Sequence, residues 1–185
     1  MNKILLLLLL ISSLYSDAKV YVGANYGTFY ESFNEDTEAY SSSGTTTLKI
    51  GYADRETYGV EFSLDYTPNN SKIFSSGEEI KTDGDRYGLN VSLTKAFDYD
   101  IYILPYIKAG MGAGFLTIDR VLDDKLYYGS FNVGGGVLFP VNENLDFELG
   151  YDYKYSSYEA IDMVAEKLLF TSNIGIAYFG FNVRY

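Results

Sequence analysis

The chain has 185 residues, a formal net charge of -11, and neither cysteine nor histidine. Without cysteine there are no disulfides, thiolate metal sites or lipid-modified N-terminal cysteine, and without histidine there are no Ser-His or Cys-His catalytic pairs and no imidazole metal ligands. The acidic charge and the lack of any Lys and Arg cluster also argue against nucleic acid as a partner, because binding phosphate depends on grouped cations.

The N-terminus has the pattern of a cleavable secretory signal peptide. A lysine precedes an unbroken apolar run from Ile4 to Ile11, and the small residues Ser16 and Ala18 follow. A signal peptide needs a basic start, about 7 to 15 apolar residues and a cleavage site of small residues. We therefore predict removal of residues 1–18, which leaves residues 19–185 as one domain. A permanent membrane anchor is the alternative, but the run is far shorter than the roughly 20 residues of a spanning helix.

The rest of the chain alternates between apolar and polar residues with a period of two. From Tyr58 to Tyr66, tyrosine, valine, phenylalanine and leucine alternate with glycine, glutamate, serine and aspartate. Successive side chains of a β-strand point to opposite faces, so this pattern predicts strands with one apolar and one polar face. Eight such segments follow in chain order, near residues 19–31, 46–54, 57–67, 85–97, 100–116, 127–140, 144–156 and 169–185.

The links between these segments alternate in length. Short links follow the second, fourth and sixth segments, at Asp54 to Glu56, Asp98 to Asp100 and Val141 to Asn144. Long polar links follow the first, third, fifth and seventh, at Ser32 to Thr45, Thr67 to Gly84, Thr117 to Leu126 and Ser157 to Leu168. Outer-membrane barrels have an even number of antiparallel strands, tight periplasmic turns and longer outward loops. We therefore predict an all-β fold, an eight-stranded antiparallel up-and-down transmembrane β-barrel.

Residue size predicts which face of the sheet points outward. The interior of an eight-stranded barrel is just wide enough for side chains to fill, so the large apolar residues of all eight segments would overfill it. Glycine, small polar residues and a few charges fit the lumen better, and the apolar face is expected to meet lipid. Tyrosines near the segment ends suit the aromatic girdles at the membrane interfaces, and these are Tyr30, Tyr52, Tyr58, Tyr66, Tyr87 and Tyr155.

The last segment has the pattern of a terminal strand that outer-membrane assembly machinery recognises. Its predicted assembly signal consists of in-phase residues that end the chain on an aromatic, Phe179, Phe181, Val183 and Tyr185. The apolar residues just upstream, Ile174, Ile176 and Tyr178, fall in the opposite phase. This change of phase predicts a β-bulge near Tyr178 and Phe179.

Several glycine-rich and aromatic motifs complete the pattern. They are Leu104-Pro105-Tyr106 followed by Gly110, Gly112 and Gly114, then Gly134-Gly135-Gly136-Val137, Leu149-Gly150-Tyr151-Asp152-Tyr153 and the C-terminal strand. With them the chain resembles the small outer-membrane β-barrel proteins of Gram-negative bacteria, which include opacity-type, OmpX-like, OmpA-like and porin-like barrel domains. The resemblance implies an eight-stranded barrel assembled from the periplasm, with roles from adhesion to envelope stability. The chain departs from the family in ending on tyrosine instead of phenylalanine.

The polar face carries the candidate site residues. Glu61 shares a strand phase with Asp65, and Asp146 shares one with Glu148 and Asp152. Two carboxylates can act as acid and base, yet buried charges are normally paired, and the polar faces also supply cations. We expect a structural charge network in the lumen, with no catalytic residue, cofactor or metal, made of Lys49, Glu61, Asp65, Arg86, Lys108, Asp146, Glu148, Asp152 and Lys154.

Function is expected in the long links, because binding residues concentrate on loops held by a rigid scaffold. Each long link has more carboxylates than cations, and a short helix from Glu159 to Leu169 is a candidate element at the last of them. The leading prediction is a monomeric structural or surface-interaction barrel. Its expected partners are outer-membrane lipid, lipopolysaccharide, the barrel-assembly machinery and an unknown surface ligand. The alternatives are a narrow transport or ligand-carrying barrel and, third, a membrane enzyme that uses lumen carboxylates.

Overall fold

The computed structural model describes residues 18–33, 40–41, 44–55, 58–68, 74–76, 78–80, 85–117, 125–159, 161–162, 167–168 and 171–185. The predicted signal peptide lies outside this part of the chain except for Ala18, and its cleavage stays a prediction. The strands in chain order are β1 (Lys19–Phe33), β2 (Tyr40–Ser41), β3 (Thr45–Ala53), β4 (Tyr58–Thr67), β5 (Phe74–Ser76), β6 (Glu78–Ile80), β7 (Arg86–Ala96), β8 (Leu104–Thr117), β9 (Lys125–Pro140), β10 (Leu145–Tyr158), β11 (Ile161–Asp162), β12 (Lys167–Leu168) and β13 (Thr171–Arg184).

Eight long strands close into an antiparallel barrel. Their order is β1, β3, β4, β7, β8, β9, β10 and β13, and β13 pairs back with β1 from Tyr21 opposite Arg184 to Phe33 opposite Ser172. Closing the sheet pairs the backbone N–H and C=O groups of its edge strands, which would have no hydrogen-bond partner in hydrocarbon. The strands have 9 to 16 residues, and a tilted strand of about 9–11 residues spans a bilayer core. The predicted eight-stranded up-and-down barrel is confirmed.

Side chains alternate across the barrel wall. In β7 the buried positions are Arg86, Gly88, Asn90 and Ser92, whereas Tyr87, Leu89, Val91 and Leu93 point outward. The same alternation exposes large apolar residues on every barrel strand. The predicted apolar outer face is therefore confirmed, and the buried core of the protein lies in the lumen.

The short turns and the long links lie at opposite ends of the barrel. The described turn residues 54–55, 97–103 and 141–144, which follow β3, β7 and β9, lie at one end. At the other end β2 extends the ladder beside β1, and β5 pairs with β6. No helix in the described residues is long and apolar enough to cross a membrane.

The helix predicted between Glu159 and Leu169 is wrong for the described residues. Ile161–Asp162 and Lys167–Leu168 instead pair as an antiparallel ladder. The ends of β10 and β13 already lie side by side, so segments that follow one strand and precede the other can pair in the same antiparallel way. A short helix in the same place would have to nucleate without such support.

Strand β8 begins later than the alternation predicts. The predicted segment begins near residue 100, whereas β8 begins at Leu104. Asp100 has a φ of 58°, and its N–H donates to the side chain of Asp98 at 2.8 Å. An aspartate side chain that accepts from the backbone two residues on stabilises a turn, so the extended chain is interrupted here.

Strand β13 runs without a bulge, so the bulge predicted near Tyr178 and Phe179 is wrong. Tyr178 lies opposite Gly27 on one side and Gly150 on the other, and the pairing is one to one through this point. The upstream apolar residues therefore stay on the inner face with the downstream polar ones. They form a buried cluster of Phe29, Ile174, Ile176 and Tyr178. The apolar residues change phase along β13 because this level of the lumen is lined by apolar side chains, while the backbone pairing stays regular.

Candidate functional site in the barrel lumen

A network of charged side chains runs along the lumen. All nine predicted residues lie on the inner face of the wall, and three further residues join them, Glu31, Arg55 and Arg184. Six cations lie within salt-bridge distance of six carboxylates. Burying a charge is costly unless it is paired and hydrogen-bonded, and this pairing meets that condition through the whole length of the lumen.

The end with the short turns is shut by a cluster that we call the periplasmic closure, Arg55, Asp146 and Arg184. The Asp146 carboxylate is fully buried between two guanidinium groups, at 2.6 Å from Arg55 and 2.5 Å from Arg184. Arg184 also donates to the carbonyl oxygen of Ala53 at 3.1 Å, and Arg55 donates to the carbonyl oxygen of Asn142. The cluster therefore joins the last strand to two turns of the barrel.

The middle of the lumen holds a second cluster, the central network of Lys49, Glu61, Lys108, Glu148 and Asp152. Lys49 contacts Glu148 and lies 3.5 Å from a carboxylate oxygen of Glu61. Lys108 lies 2.8 Å from Asp152 and 4.0 Å from Glu61. Each carboxylate of the cluster thus faces at least one ammonium group.

Buried tyrosines support the central network. The Tyr21 hydroxyl donates to Glu61 at 2.8 Å, the Tyr106 hydroxyl donates to Glu148 at 2.6 Å, and the hydroxyls of Tyr106 and Tyr178 are 2.6 Å apart. These rings fit because glycine lies opposite them. A Cβ atom on Gly150 would lie 2.5 Å from the hydroxyl oxygen of Tyr178 and 2.6 Å from that of Tyr106. The inward tyrosines therefore fit in the lumen because the residues opposite them are glycines.

Next toward the long links, Asp65 and Lys154 form a contact pair. The other Asp65 oxygen accepts from the Thr47 hydroxyl at 2.7 Å, and Asn90 donates to the oxygen that Lys154 contacts, at 2.9 Å. With three groups around it, this carboxylate is held as a fixed acceptor.

The lumen below the long links is shut by the external closure, Glu31, Arg86, Tyr128 and Tyr158. The Arg86 guanidinium lies 3.0 Å from Glu31, 4.3 Å from the centre of the Tyr128 ring and 5.8 Å from that of Tyr158. Glu31 also accepts from the Tyr158 hydroxyl at 2.9 Å. Glu31 belongs to the wall because β1 continues to Phe33, and the strand turns this residue inward.

Cavities along this lumen are small. One near the short turns has a volume of about 30 Å³, a central one about 20 Å³, and one near Arg86 about 10 Å³. A space of this size admits roughly one water molecule. Asn25 and Asn132, whose side-chain oxygens have no hydrogen-bond partner among the described residues, line the central cavity. The spaces suit single waters bound to polar atoms and are too small for an organic solute.

Paired carboxylates are not available as a free acid and base in this arrangement, since every lumen carboxylate of the described chain contacts a cation. Among the residues that the structure describes, no group of three or more potential metal ligands is placed to hold an ion. In this arrangement the cations and carboxylates neutralise one another, and their salt bridges join different strands of the wall across the lumen.

The predicted assembly signal lies on the outer face of β13. Phe179, Phe181 and Tyr185 are exposed, by 62%, 44% and 76% of their surface, and Val183 is partly exposed. The strand that carries them closes the barrel against β1. Their recognition by assembly machinery stays a prediction.

The residues that sequence reasoning missed could mostly have been found from strand phase. Arg184 alternates with Val183 and Tyr185, and Tyr21 alternates with Val20 and Val22. Both were therefore in the inward phase, but neither was assigned to the network. Arg55 lies in a turn, where no periodic signal indicates direction.

Comparison with known proteins agrees with this architecture. A search of curated protein sequences finds no match. Among solved structures, the barrel is similar to Neisserial surface protein A (20% identity, 92% of this chain and 100% of that chain, TM-score 0.66). It is also similar to Ail, the attachment invasion locus protein of Yersinia pestis (18%, 91% and 99%, 0.58), and to the outer membrane protein OprG from Pseudomonas aeruginosa (12%, 91% and 96%, 0.57).

Residues 4–183 match the family described as the outer membrane protein beta-barrel domain. This match covers nearly the whole chain, and the closed barrel with its apolar outer face is the fold that the family name describes. The chain therefore belongs to the outer membrane protein beta-barrel family, and it is a protein of the Gram-negative outer membrane.

Proposed function

We propose that the protein is a structural and surface-interaction barrel, in which a self-neutralised lumen holds the wall rigid and the long links contact a partner outside the cell. The observation that carries the proposal is the pairing of six lumen cations with six lumen carboxylates. A lumen filled in this way is a scaffold, and binding residues concentrate on loops that a rigid scaffold positions.

The lumen geometry favours this role over transport. Porins with an aqueous channel have about sixteen strands or more, whereas the interior of an eight-stranded barrel is narrow enough for side chains to fill. The cavities of about 10 to 30 Å³ lie between charge clusters that are tied across the lumen. A passing solute would have to separate several buried ion pairs, each of which is costly to break.

The charge of the links indicates which kind of partner they suit. Ail is named for attachment, and one structure of Ail is a complex with the heparin analogue sucrose octasulfate (19% identity, TM-score 0.52). In this chain each long link has more carboxylates than cations. Complementary potentials steer partners together, so the links suit a positively charged protein surface and not a sulfated polysaccharide.

The proposal is tested by replacing links while keeping the barrel. Residues 34–43 are exchanged for a short Gly-Ser link, and adherence of bacteria that display the protein to cultured epithelial cells is measured. A matched variant keeps the length of the link and carries Glu35→Gln, Asp36→Asn and Glu38→Gln. We expect a several-fold loss of adherence in both variants, while the heat-modifiable mobility of the folded barrel is unchanged.

Two results would overturn the proposal. In the first, replacing each long link in turn leaves adherence at the level of the intact protein, with folding preserved. In the second, the purified barrel produces conductance steps in a planar bilayer that change when Lys154→Gln is introduced. The second result would instead establish the narrow transport barrel.

A further inference from the structure

The lipid-facing wall carries a cation where it meets the short-turn end. Lys95 lies in the outward phase of β7, opposite Tyr58 in β4 and Ile107 in β8. Its ammonium nitrogen lies 4.6 Å from the centre of the Tyr58 ring and 5.7 Å from that of Phe97. The Phe97 ring in turn stacks on Tyr99, with 6.3 Å between centres and 10° between planes. Lys95 thus contacts an aromatic surface on the outside of the barrel.

The turn that follows this strand differs from the other two short turns. Residues 54–57 and 141–144 are mainly polar, whereas the turn at residues 97–103 exposes Tyr99 and Ile101 over half of their surface and Tyr102 almost completely, at 97%. Aromatic residues with a polar tip favour the level of the lipid headgroups. This apolar surface continues the lipid-facing wall, so its natural neighbour is the periplasmic leaflet.

The charges at this rim follow a fixed order along the chain. Lys95 lies in the strand, and the exposed carboxylates Asp98 and Asp100 lie in the turn beyond the strand end. The hydrogen bond from the Asp100 N–H to Asp98 holds the two residues in one turn. A phospholipid with an ethanolamine headgroup has the complementary order, since its phosphate lies next to the acyl chains and its primary ammonium lies further out.

We infer that the rim formed by Tyr58, Lys95, Phe97, Asp98, Tyr99 and Asp100 binds the headgroup of a zwitterionic phospholipid with a primary ammonium, in the periplasmic leaflet. Lys95 and the Tyr58 hydroxyl donate to the phosphate, and the two aspartates accept from the ammonium. The stacked rings of Phe97 and Tyr99 lie against the glycerol region. This site is independent of the role proposed for the long links, which lie at the opposite end of the barrel.

Native mass spectrometry of the intact barrel tests the inference. The protein is released from micelles that contain phosphatidylethanolamine, phosphatidylcholine or phosphatidylglycerol at equal concentration, and the retained lipid is counted. We expect phosphatidylethanolamine to be retained several-fold more than phosphatidylcholine, whose trimethylated ammonium cannot donate a hydrogen bond. Lys95→Gln should reduce retention of all three lipids, because each contains a phosphate.

The two aspartates are tested by Asp98→Asn with Asp100→Asn, which keeps the side-chain acceptor of the turn. This variant should lose the preference for phosphatidylethanolamine over phosphatidylcholine and keep the retention of phosphatidylglycerol. Glu143→Gln, which neutralises an exposed carboxylate of the turn at 141–144, is the matched control and should keep the preference. Lys125→Gln is the cation control, because Lys125 lies 4.7 Å from the Phe115 ring at the opposite rim.

Equal retention of the three lipids by the unmodified protein would overturn the inference. So would an equal loss of retention in Lys95→Gln and Lys125→Gln, since the site would then have no fixed position on the wall. A preference that survives in the double aspartate variant would overturn the assignment of the ammonium to this turn.

Discussion

The two ends of the lumen are closed by different chemistry. At the periplasmic closure a fully buried carboxylate, Asp146, lies between two guanidinium groups, and only Arg55 of this cluster is partly open to solvent. At the external closure a single guanidinium, Arg86, meets one carboxylate and lies among aromatic rings. One end depends on opposite charges, and the other combines one ion pair with cation–π contacts.

The difference corresponds to what each end must hold. The periplasmic closure draws on a turn, the start of β10 and the end of β13, so it ties the closing seam to distant parts of the chain. The external closure draws only on the wall, from β1, β7, β9 and β10. The platform below the long links is therefore complete without them, which lets the links vary while the barrel stays closed.

Removing the charge of Asp146 should have the largest effect on stability. Asp146→Asn leaves the buried Arg184 without its counter-ion, and breaking a buried pair in this way costs about 3–5 kcal/mol. We expect a loss of that size in the free energy of unfolding, measured by urea titration in phospholipid vesicles with far-UV circular dichroism. Glu143→Gln, in the adjacent exposed turn, should change it little. If the two variants were equally stable, Arg184 would have to be solvated and the closure open.

Removing the charge of Glu31 should cost less, about 2 kcal/mol, because the cation–π contacts that remain offset part of the cost of breaking a buried pair. Glu31→Gln leaves Arg86 over the Tyr128 ring and in a hydrogen bond to Ser156 at 3.1 Å, and a desolvated cation–π contact contributes about 2 kcal/mol. The comparison is sharpened by a double-mutant cycle in the same urea assay. Tyr128→Leu should cost more in the Glu31→Gln background than alone, because the ring is then the main partner of the cation. Additive losses would mean that the Tyr128 ring does not compensate for the missing carboxylate.

Between the two ends, tight packing and not charge should limit substitution. Gly150→Ala places a methyl group against the hydroxyls of Tyr106 and Tyr178, and overpacking of this kind costs about 1–2 kcal/mol. Gly129 is the matched control, because a Cβ atom there has no neighbour within 4 Å. Gly129→Ala should leave the urea midpoint the same or slightly higher, as alanine is less flexible than glycine. A neutral Gly150→Ala would show that the tyrosine pair rearranges freely.

Strand phase in the sequence was enough to place the network residues on one face but not to identify their partners. Lys49 and Glu148 are each inward by simple alternation, yet they meet across 99 residues of sequence. Which side chains share a level in a closed barrel depends on strand tilt and stagger, and a two-residue period contains no such information. The fold was therefore predictable in more detail than the contacts within the lumen.

Turns were the least predictable part of the molecule. In the sequence, Ile101 and Ile103 keep the alternation of β8, yet they lie in the turn before it. The left-handed backbone at Asp100 interrupts the extended chain, and β8 begins only at Leu104. Arg55 reaches into the lumen mouth from another turn, at a position where no neighbour in the sequence indicates its direction. Both features depend on backbone hydrogen bonds and on strands that meet only after the barrel has closed.

Arg55 should have the smallest effect of the residues in the two closures. Its side chain is 23% exposed, and Arg184 still holds the second oxygen of Asp146 when Arg55 is replaced. Pairs that are open to solvent contribute about 0–1 kcal/mol, so Arg55→Gln should reduce the free energy of unfolding by no more than that in the urea assay. Arg184→Gln is the matched variant and should cost several times as much, because it also removes the hydrogen bond to Ala53. Equal losses would mean that Arg55 in the turn stabilises the closed barrel as much as Arg184 in β13 does. All three residues of the periplasmic closure would then contribute, and not mainly the pair of Asp146 with the last strand.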